Sequence, residues 1–268
     1  MLLNRDINYH KIRLGVGVLW MILMQFQAFG QNHDPYTLSE GAIIRGNPDN
    51  KQLALIFTGH HYAEGGSYIL RTLSRYGIKA SFFFTGSFYR NEDFRQLILD
   101  IKEDGHYLGA HSDKHLLYCD WDNRDSLLVS KEIFEEDLKG NYAEMAKWGI
   151  EKADTRYFLP PYEWYNEKIS QWTRGFGLQL INFTPGTRSN ADYTDPSMAN
   201  YVSSEEIIHS ILDYEAKADL NGFLLLLHIG AGPERKDKFH EKLPELIEAL
   251  QTENYRFTTV DQLLNTTN

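Results

Sequence analysis

Residues 53–84 read LALIFTGHHYAEGGSYILRTLSRYGIKASFFF, and this stretch decides the fold. It begins with a short apolar run at 53–57 and ends with a second strand-like run at 79–84. Between them, 68–76 has the spacing of a helix, and Gly77 is a typical helix-ending residue. Buried strands joined by a helix predict a parallel β-α-β unit, because both faces of such a sheet are covered.

The same alternation continues to the end of the chain. Further strands are predicted at 106–109, 157–159, 178–183, 223–227 and 255–260, and further helices at 92–103, 130–148, 166–175, 204–218 and 238–251. Six or seven such units in one domain favour a closed or nearly closed (β/α) barrel, with an open doubly wound sheet as the alternative.

The N-terminus has the pattern of a secretory signal. Basic residues within 5–13 precede an apolar run at 14–24, and Ala28 and Gly30 supply the small residues of a cleavage site. An uncleaved anchor is the alternative, but the run is shorter than the roughly 20 apolar residues of a spanning helix. We therefore predict a signal peptide at 1–30, an N-terminal arm at 31–50 and one domain at 51–268.

Composition narrows the partners and the compartment. The chain is 42% hydrophobic and 24% charged, as expected of a folded protein, and its net charge is -10. An acidic surface disfavours nucleic acid and anionic lipid as partners, and no stable membrane insertion is expected after signal removal. The single Cys119 cannot form an internal disulfide. Export without disulfides fits a periplasmic or extracellular bacterial protein.

Five of the ten histidines follow predicted strands: His60, His61, His111, His115 and His228. In parallel α/β folds the carboxyl ends of the strands share one rim, where functional groups collect. On a helical turn, the i, i+4 spacing of His111 and His115 would place both imidazoles on one face, within reach of one cation. Neutral imidazole suits zinc, cobalt or nickel. The alternative is a surface turn that happens to hold two histidines.

Two further strand ends offer chemistry. His228 follows four leucines, and an imidazole at the mouth of a buried strand can serve as a general acid or base; a hydrogen-bonded core histidine is the alternative. The loop Pro160-Pro161-Tyr162 is stiffened by its prolines and continues into Glu163 and Trp164. This loop predicts either an aromatic platform for a sugar ring or plain loop packing.

These motifs resemble the polysaccharide deacetylase family, also called NodB homology or carbohydrate esterase family 4. Residues 111–115, HSDKH, resemble its His-Ser/Thr-x-x-His metal motif, and 158–162 stand in place of its Arg-Pro-Pro-Tyr loop. Residues 226–228 resemble the strand that ends in the catalytic histidine, and 81–84 resemble its second strand. The resemblance covers about 53–264 and implies a distorted (β/α)7 barrel that removes acetyl groups from acetylated glycans with a divalent metal.

The resemblance fails at one motif. The family's Thr-Phe-Asp-Asp corresponds here to 56–59, IFTG, so the usual base and the usual third metal ligand are absent. The arginine that pairs with that base is replaced by Leu159. Loss of a charge together with its partner avoids an unpaired buried charge and implies a rebuilt site or an inactive one. Residues 57–66 resemble a divergent branch of the family that we associate with Bacteroidetes.

The predicted metal site has His111 and His115 as ligands of a divalent ion, zinc first. Zinc in catalytic sites usually has three protein ligands. His60 is the first choice for the third, followed by His61 and Glu64. The alternatives are a water as the third ligand, or His60 and His61 both binding sugar hydroxyls. His61 is expected to point away from His60 if the chain is still extended there, because successive side chains alternate.

The predicted reaction is hydrolysis of an acetamide or acetate ester on a glycan. His228 is the expected general acid, and Glu163 is the first candidate for the general base, ahead of Glu64 and Asp192. The expected sugar-binding residues are Tyr162, Trp164 and His61. Two alternatives remain open: a catalytically silent carbohydrate-binding protein, and a metal-dependent hydrolase of another amide or ester.

Overall fold

The computed structural model describes residues 36–265, which form a nine-stranded sheet surrounded by helices. The strands are β1 (Thr37–Ser39), β2 (Ala42–Arg45), β3 (Gln52–Gly59), β4 (Ser81–Phe84), β5 (Tyr107–Ala110), β6 (Tyr157–Phe158), β7 (Gln179–Leu180), β8 (Phe223–His228) and β9 (Arg256–Thr258). The helices are α1 (Gly66–Arg75), α2 (Gly86–Arg90), α3 (Arg95–Glu103), α4 (Lys131–Lys147), α5 (Glu167–Gly175), α6 (Ser204–Ala218), α7 (Leu243–Thr252) and α8 (Val260–Leu264). Within the described residues, no helix is long and apolar enough to cross a membrane.

The sheet has the order β1-β2-β8-β3-β4-β5-β6-β7, with β9 beside β3. The strands from β3 onward pair with one another in parallel, whereas β2 pairs antiparallel with both β1 and β8. Just after β7, Ile181 bridges Ile43 of β2, and the Asn182 amide donates to the Ile43 carbonyl at 2.9 Å. The sheet therefore curls back toward its own first strands, which confirms the predicted distorted barrel.

Packing on both faces explains why the parallel strands are apolar throughout. On β3, Leu55 and Phe57 join the large core cluster that includes the helices. The alternate residues Ala54 and Ile56 join a second cluster, to which Leu226 of β8 also belongs. Every residue from Leu53 to Gly59 is buried, so this part of the strand has no solvent-facing position that would favour a polar side chain.

Local signals place the helix ends where the sequence predicts them. Gly77, at φ +65°, follows α1 in the left-handed conformation that glycine adopts easily. The Ser203 hydroxyl accepts from the Glu206 amide and caps α6 at the predicted start of this helix.

The predicted arm contains more structure than its polar composition indicates. β1 and β2 form a hairpin within residues 37–45 and join the sheet through Arg45, which pairs with Phe223. The short helices α2 and α8 were also missed. The predicted signal peptide at 1–30 and its cleavage site lie outside the described residues.

Candidate functional site

A cavity of about 660 Å³ opens at the carboxyl ends of the parallel strands. It receives side chains from the ends of β3, β5, β6 and β8, as expected for a fold whose strands all point to one rim. The predicted site residues that line it are His60, His61, His111, His115, Tyr162, Glu163 and His228. Trp164, Glu64 and Asp192 do not line it.

His111 and His115 meet without the predicted helical turn. Residues 111–115 are not helical, and Ser112 and His115 have φ values of +69° and +57°. This tight turn still brings the two ring centroids to 5.1 Å. The Nδ1 of His111 lies 2.9 Å from the Leu159 carbonyl, to which it donates, so its Nε2 is left for a ligand.

His60 and His61 lie side by side, so the expectation that His61 points away from His60 is wrong. Their ring centroids are 3.6 Å apart, because β3 ends at Gly59 and the strand alternation stops there. The Nδ1 of His60 lies 3.0 Å from the Thr85 hydroxyl. The His60 ring stacks on His115 at 4.7 Å, with an angle of 13° between the rings.

Burial keeps the clustered imidazoles neutral. Desolvation, and then the neighbouring histidines, lowers the pKa of His60 to about 4, that of His111 to about 3 and that of His115 to about 2. Near pH 7 these rings therefore carry no charge. Neutral imidazole is the form that binds a transition metal, so no proton has to be displaced.

The donor chemistry of His111 and His115 fits a divalent ion, but a third ligand is not preformed. Among residues 36–265, no three His, Cys, Asp or Glu side chains are arranged to hold a metal. The stacking of His60 on His115 is the physical reason, since nitrogen lone pairs in nearly parallel rings do not meet at one point. Glu64 is engaged elsewhere: its carboxylate accepts from Lys238 at 2.6 Å and from the Ala231 amide at 2.9 Å.

Asp192 orients His228 and favours its protonated form. Its carboxylate lies 2.6 Å from Nδ1 of His228 and also accepts from the His228 backbone amide at 2.8 Å. Burial alone would lower the pKa of His228, but Asp192 and then Glu163 outweigh it and raise that pKa above its ordinary value. Because Nδ1 is taken by Asp192, Nε2 is the nitrogen that remains for the cavity. Asp192 therefore acts on His228 and does not reach the cavity as a base.

Glu163 is held by a strained loop. Tyr162 and Glu163 have φ values of +59° and +53°, directly after Pro160 and Pro161. The Glu163 carbonyl accepts from the Asn182 side chain at 2.8 Å, which fixes the backbone. Burial and the nearby Asp192 raise the pKa of the Glu163 carboxyl to about 7, although His228 opposes the shift. Such a carboxyl can take up a proton near neutral pH.

The aromatic wall of the cavity differs from the one expected. Tyr162 is 45% exposed and contacts the ring of His115 at 4.4 Å. Trp164 is covered by Trp121, whose ring stacks on it at 5.5 Å, and by the Arg124 guanidinium at 4.4 Å. The platform that lines the cavity is therefore Trp121, which is 54% exposed. Sequence reasoning missed it because a single tryptophan in a long irregular loop has no period or motif.

The positions of the two missing carboxylates have different surroundings. Thr58 is 2% exposed and lines the cavity. At Gly59 an added Cβ would lie 2.9 Å from each of Phe84, Phe88 and Ile229. A side chain at 59 would therefore collide with the core, whereas position 58 still faces the site.

A family model described as polysaccharide deacetylase matches residues 45–181. The chain belongs to the polysaccharide deacetylase family. It is 25% identical over 196 residues to a peptidoglycan-N-acetylglucosamine deacetylase of Bacillus cereus, covering 73% of this chain and 80% of that one. It is 23% identical over 223 residues to the peptidoglycan-N-acetylmuramic acid deacetylase PdaA of Bacillus subtilis, covering 83% and 75%.

Solved structures support the same fold. The structure of BA3943, a family 4 carbohydrate esterase pseudoenzyme from Bacillus anthracis, superposes with a TM-score of 0.66 at 18% identity. The match covers 85% of this chain and 70% of that one. The Bacteroidetes-like branch stays a prediction.

Proposed function

We propose that this protein is a metal-dependent hydrolase that removes acetyl groups from an acetylated polysaccharide or oligosaccharide. The observation that carries the proposal is one cavity lined by two groups suited to proton transfer. These are His228, whose pKa is raised by Asp192, and Glu163, whose pKa is about 7. Titratable groups tuned in this way in a cleft are typical of acid–base catalysis.

Glu163 and His228 divide the proton transfers. As water attacks the acetyl carbonyl, Glu163 takes its proton; as the C–N or C–O bond breaks, His228 gives a proton to the leaving amine or alcohol. The products are acetate and the deacetylated sugar. Glu163 thus replaces the absent carboxylate of position 58, and the loss of the arginine at 159 leaves no unpaired charge there.

The metal remains part of the proposal. His111 and His115 would hold it, with His60 as the third ligand after a rotation that breaks its stacking on His115. A bound divalent ion, zinc first, would polarise the acetyl carbonyl and lower the pKa of the attacking water.

Relatives and surface chemistry support a glycan as the substrate. Two relatives are deacetylases of peptidoglycan sugars. In this chain the cavity has the exposed rings of Trp121 and Tyr162 at its edge, which suit stacking against a sugar. Peptidoglycan lies outside the cytoplasm, which agrees with the predicted signal peptide and a periplasmic or extracellular site of action.

A silent carbohydrate-binding protein is the second candidate. It is favoured by Thr58, Gly59 and Leu159 in place of the family's charged residues, and a structural neighbour is a pseudoenzyme. A mutant of that pseudoenzyme has restored enzymatic activity, so its fold does not itself prevent catalysis.

Acetate release from a panel of glycans, with and without added metal, separates the candidates. The panel comprises N-acetylated chito-oligomers, peptidoglycan and acetylated xylan. The proposal predicts release from at least one, lost with chelator and restored by a divalent ion. A silent binder retains glycan without turnover, and a hydrolase of another bond holds metal but frees no acetate.

Metal content tests the ligands separately. We expect about one equivalent of divalent metal per chain in the wild type and none in His111→Ala, because the metal needs both the His111 and the His115 imidazoles as ligands. His209→Ala is the control, since His209 is an exposed residue of α6. His60→Ala beside His61→Ala decides the third ligand: wild-type affinity in His60→Ala would remove His60 from the site.

A further inference from the structure

The hydroxyl of Thr58 is buried at the cavity without a partner. Thr58 is 2% exposed, and its neighbour across the sheet is His228 of β8. Its Oγ1 has no hydrogen-bond partner among residues 36–265. A buried hydroxyl left unpaired is costly, so this one calls for a partner that the cavity receives from outside.

Position distinguishes Thr58 from other unpaired buried groups. Within the described part of the chain, side-chain atoms of Tyr89, Asn221, Thr258 and Asp261 are also buried without a partner. None of these four residues lines the candidate site, whereas Thr58 does. Thr58 is therefore the one of the five whose missing partner can be a ligand held there.

The neighbours of Thr58 indicate which part of a ligand it meets. His228 lies opposite it on β8, and Glu163 lines the same cavity. In the proposed reaction these two groups must reach the acetyl group. A threonine hydroxyl can donate to a carbonyl oxygen and accept from an N–H, and an acetamide offers both.

We propose that Thr58 Oγ1 hydrogen-bonds the acetamide of the bound glycan, so that Thr58 is a substrate-binding residue selective for the acetylated sugar. This inference rests on the proposed function for the identity of the ligand. Thr58, which stands where the family has a carboxylate, would then take part in recognising the substrate.

Because the Thr58 hydroxyl is unpaired in the free protein, its removal should affect stability and ligand affinity differently. Thr58→Val replaces the hydroxyl by a methyl group of the same shape. The free protein then loses no hydrogen bond, so its thermal stability stays the same or rises. The complex loses one, so affinity falls. A hydroxyl with a purely structural role would show the opposite: lower stability and unchanged affinity.

The experiment is a proton NMR titration of wild type, Thr58→Val and Thr58→Ser with triacetylchitotriose and with its free-amine counterpart, chitotriose. We expect Thr58→Val to bind the acetylated trimer roughly tenfold more weakly and chitotriose unchanged, since one hydrogen bond is lost. Thr58→Ser should keep most of the affinity. Thr258→Val is the matched control, because it removes an equally unpaired strand hydroxyl away from the cavity.

The same spectra show the methyl signal of free acetate, so binding and turnover are measured independently. A wild type that binds the trimer but releases no acetate refutes deacetylation and leaves the Thr58 comparison valid. Three results overturn the inference: equal affinity of wild type and Thr58→Val, a melting temperature several degrees lower in Thr58→Val, or no binding of the acetylated trimer by the wild type.

Discussion

Glu163 shows how one residue connects backbone strain, burial and chemistry. It sits at φ +53° after a two-proline loop, and burial raises the pKa of its carboxyl to about 7. An ordinary glutamate has a pKa of about 4.3 when exposed. Between these two values the folded protein binds more protons than the unfolded chain, so stability falls as the pH rises through this window.

Replacing Glu163 by Gln should therefore have two opposite effects. Above pH 7 the variant should be more stable than the wild type, by at most about 4 kcal/mol, because no buried charge forms. Near pH 4 the difference should vanish. Acetate release should fall roughly 100-fold. Urea unfolding at pH 4 and pH 8, beside the activity assay, measures both.

Glu167→Gln is the control for that experiment, since Glu167 is an exposed residue in the first turn of α5. It should show neither effect. Wild-type activity in Glu163→Gln would remove Glu163 from the mechanism and leave the base unassigned.

For single residues, the sequence predicts which side chains line the site better than it predicts how those side chains are oriented. His60, His61, His111, His115 and His228 do line one cavity, because strand ends share a rim. Ring orientations depend on where β3 stops and on positive-φ turns, which residue patterns alone do not show. The pKa shift of Glu163 likewise depends on tertiary burial.

At the scale of the element, the loop between β5 and α4 supplies the exposed platform. Trp121 rests on Trp164, and its ring meets Tyr162 edge-on at 5.7 Å. Trp121→Ala should weaken binding of an acetylated chito-oligomer roughly tenfold and that of the monosaccharide less, because stacked area is lost outside the reacting sugar. Calorimetric titration measures the change, with Trp148→Ala, distant from the cavity, as the control. Equal affinities of the wild type and Trp121→Ala for the oligomer would show that the bound glycan does not contact Trp121.

The loops after β7 and β8 are joined by one buried cation. Arg235 is fully buried and donates to the carbonyls of Thr194 at 2.6 Å, Val202 at 3.0 Å and Asp237 at 2.6 Å. This contact links the segment that bears Asp192 to the segment after His228.

Arg235→Met should lower the free energy of unfolding by roughly 3 kcal/mol, because buried carbonyls lose their donors. Lys236→Met, at the exposed neighbouring position, should have little effect. Urea denaturation of both variants measures this. Equal stability would mean that water replaces the guanidinium and that the loops do not depend on it.

The helices and strands were predictable where the apolar run or the helical periodicity in the sequence was long. The strands at 53–57 and 223–227 and the helices ended by glycine follow from periodicity and local caps. The hairpin of β1 and β2 was not, because its strands are short and are held in the sheet by contacts with distant parts of the chain, namely β8 and the segment after β7.

On the scale of the whole molecule, the net charge of -10, the predicted signal peptide and the family assignment all agree with our proposal of an exported protein that acts on a glycan. Export itself is checked by sequencing the N-terminus of the protein recovered outside the cytoplasm. We expect it to begin at or near Gln31, and an intact Met1 would contradict cleavage.

The most direct test is acetate released from triacetylchitotriose or peptidoglycan by metal-loaded wild type and by His228→Ala, followed by proton NMR. The proposed mechanism predicts steady release by the wild type and a loss of roughly 100-fold or more in the variant, whose metal content stays intact. Absence of acetate from the metal-loaded wild type on every acetylated glycan, with glycan binding retained, would contradict catalysis and establish the silent binding protein instead.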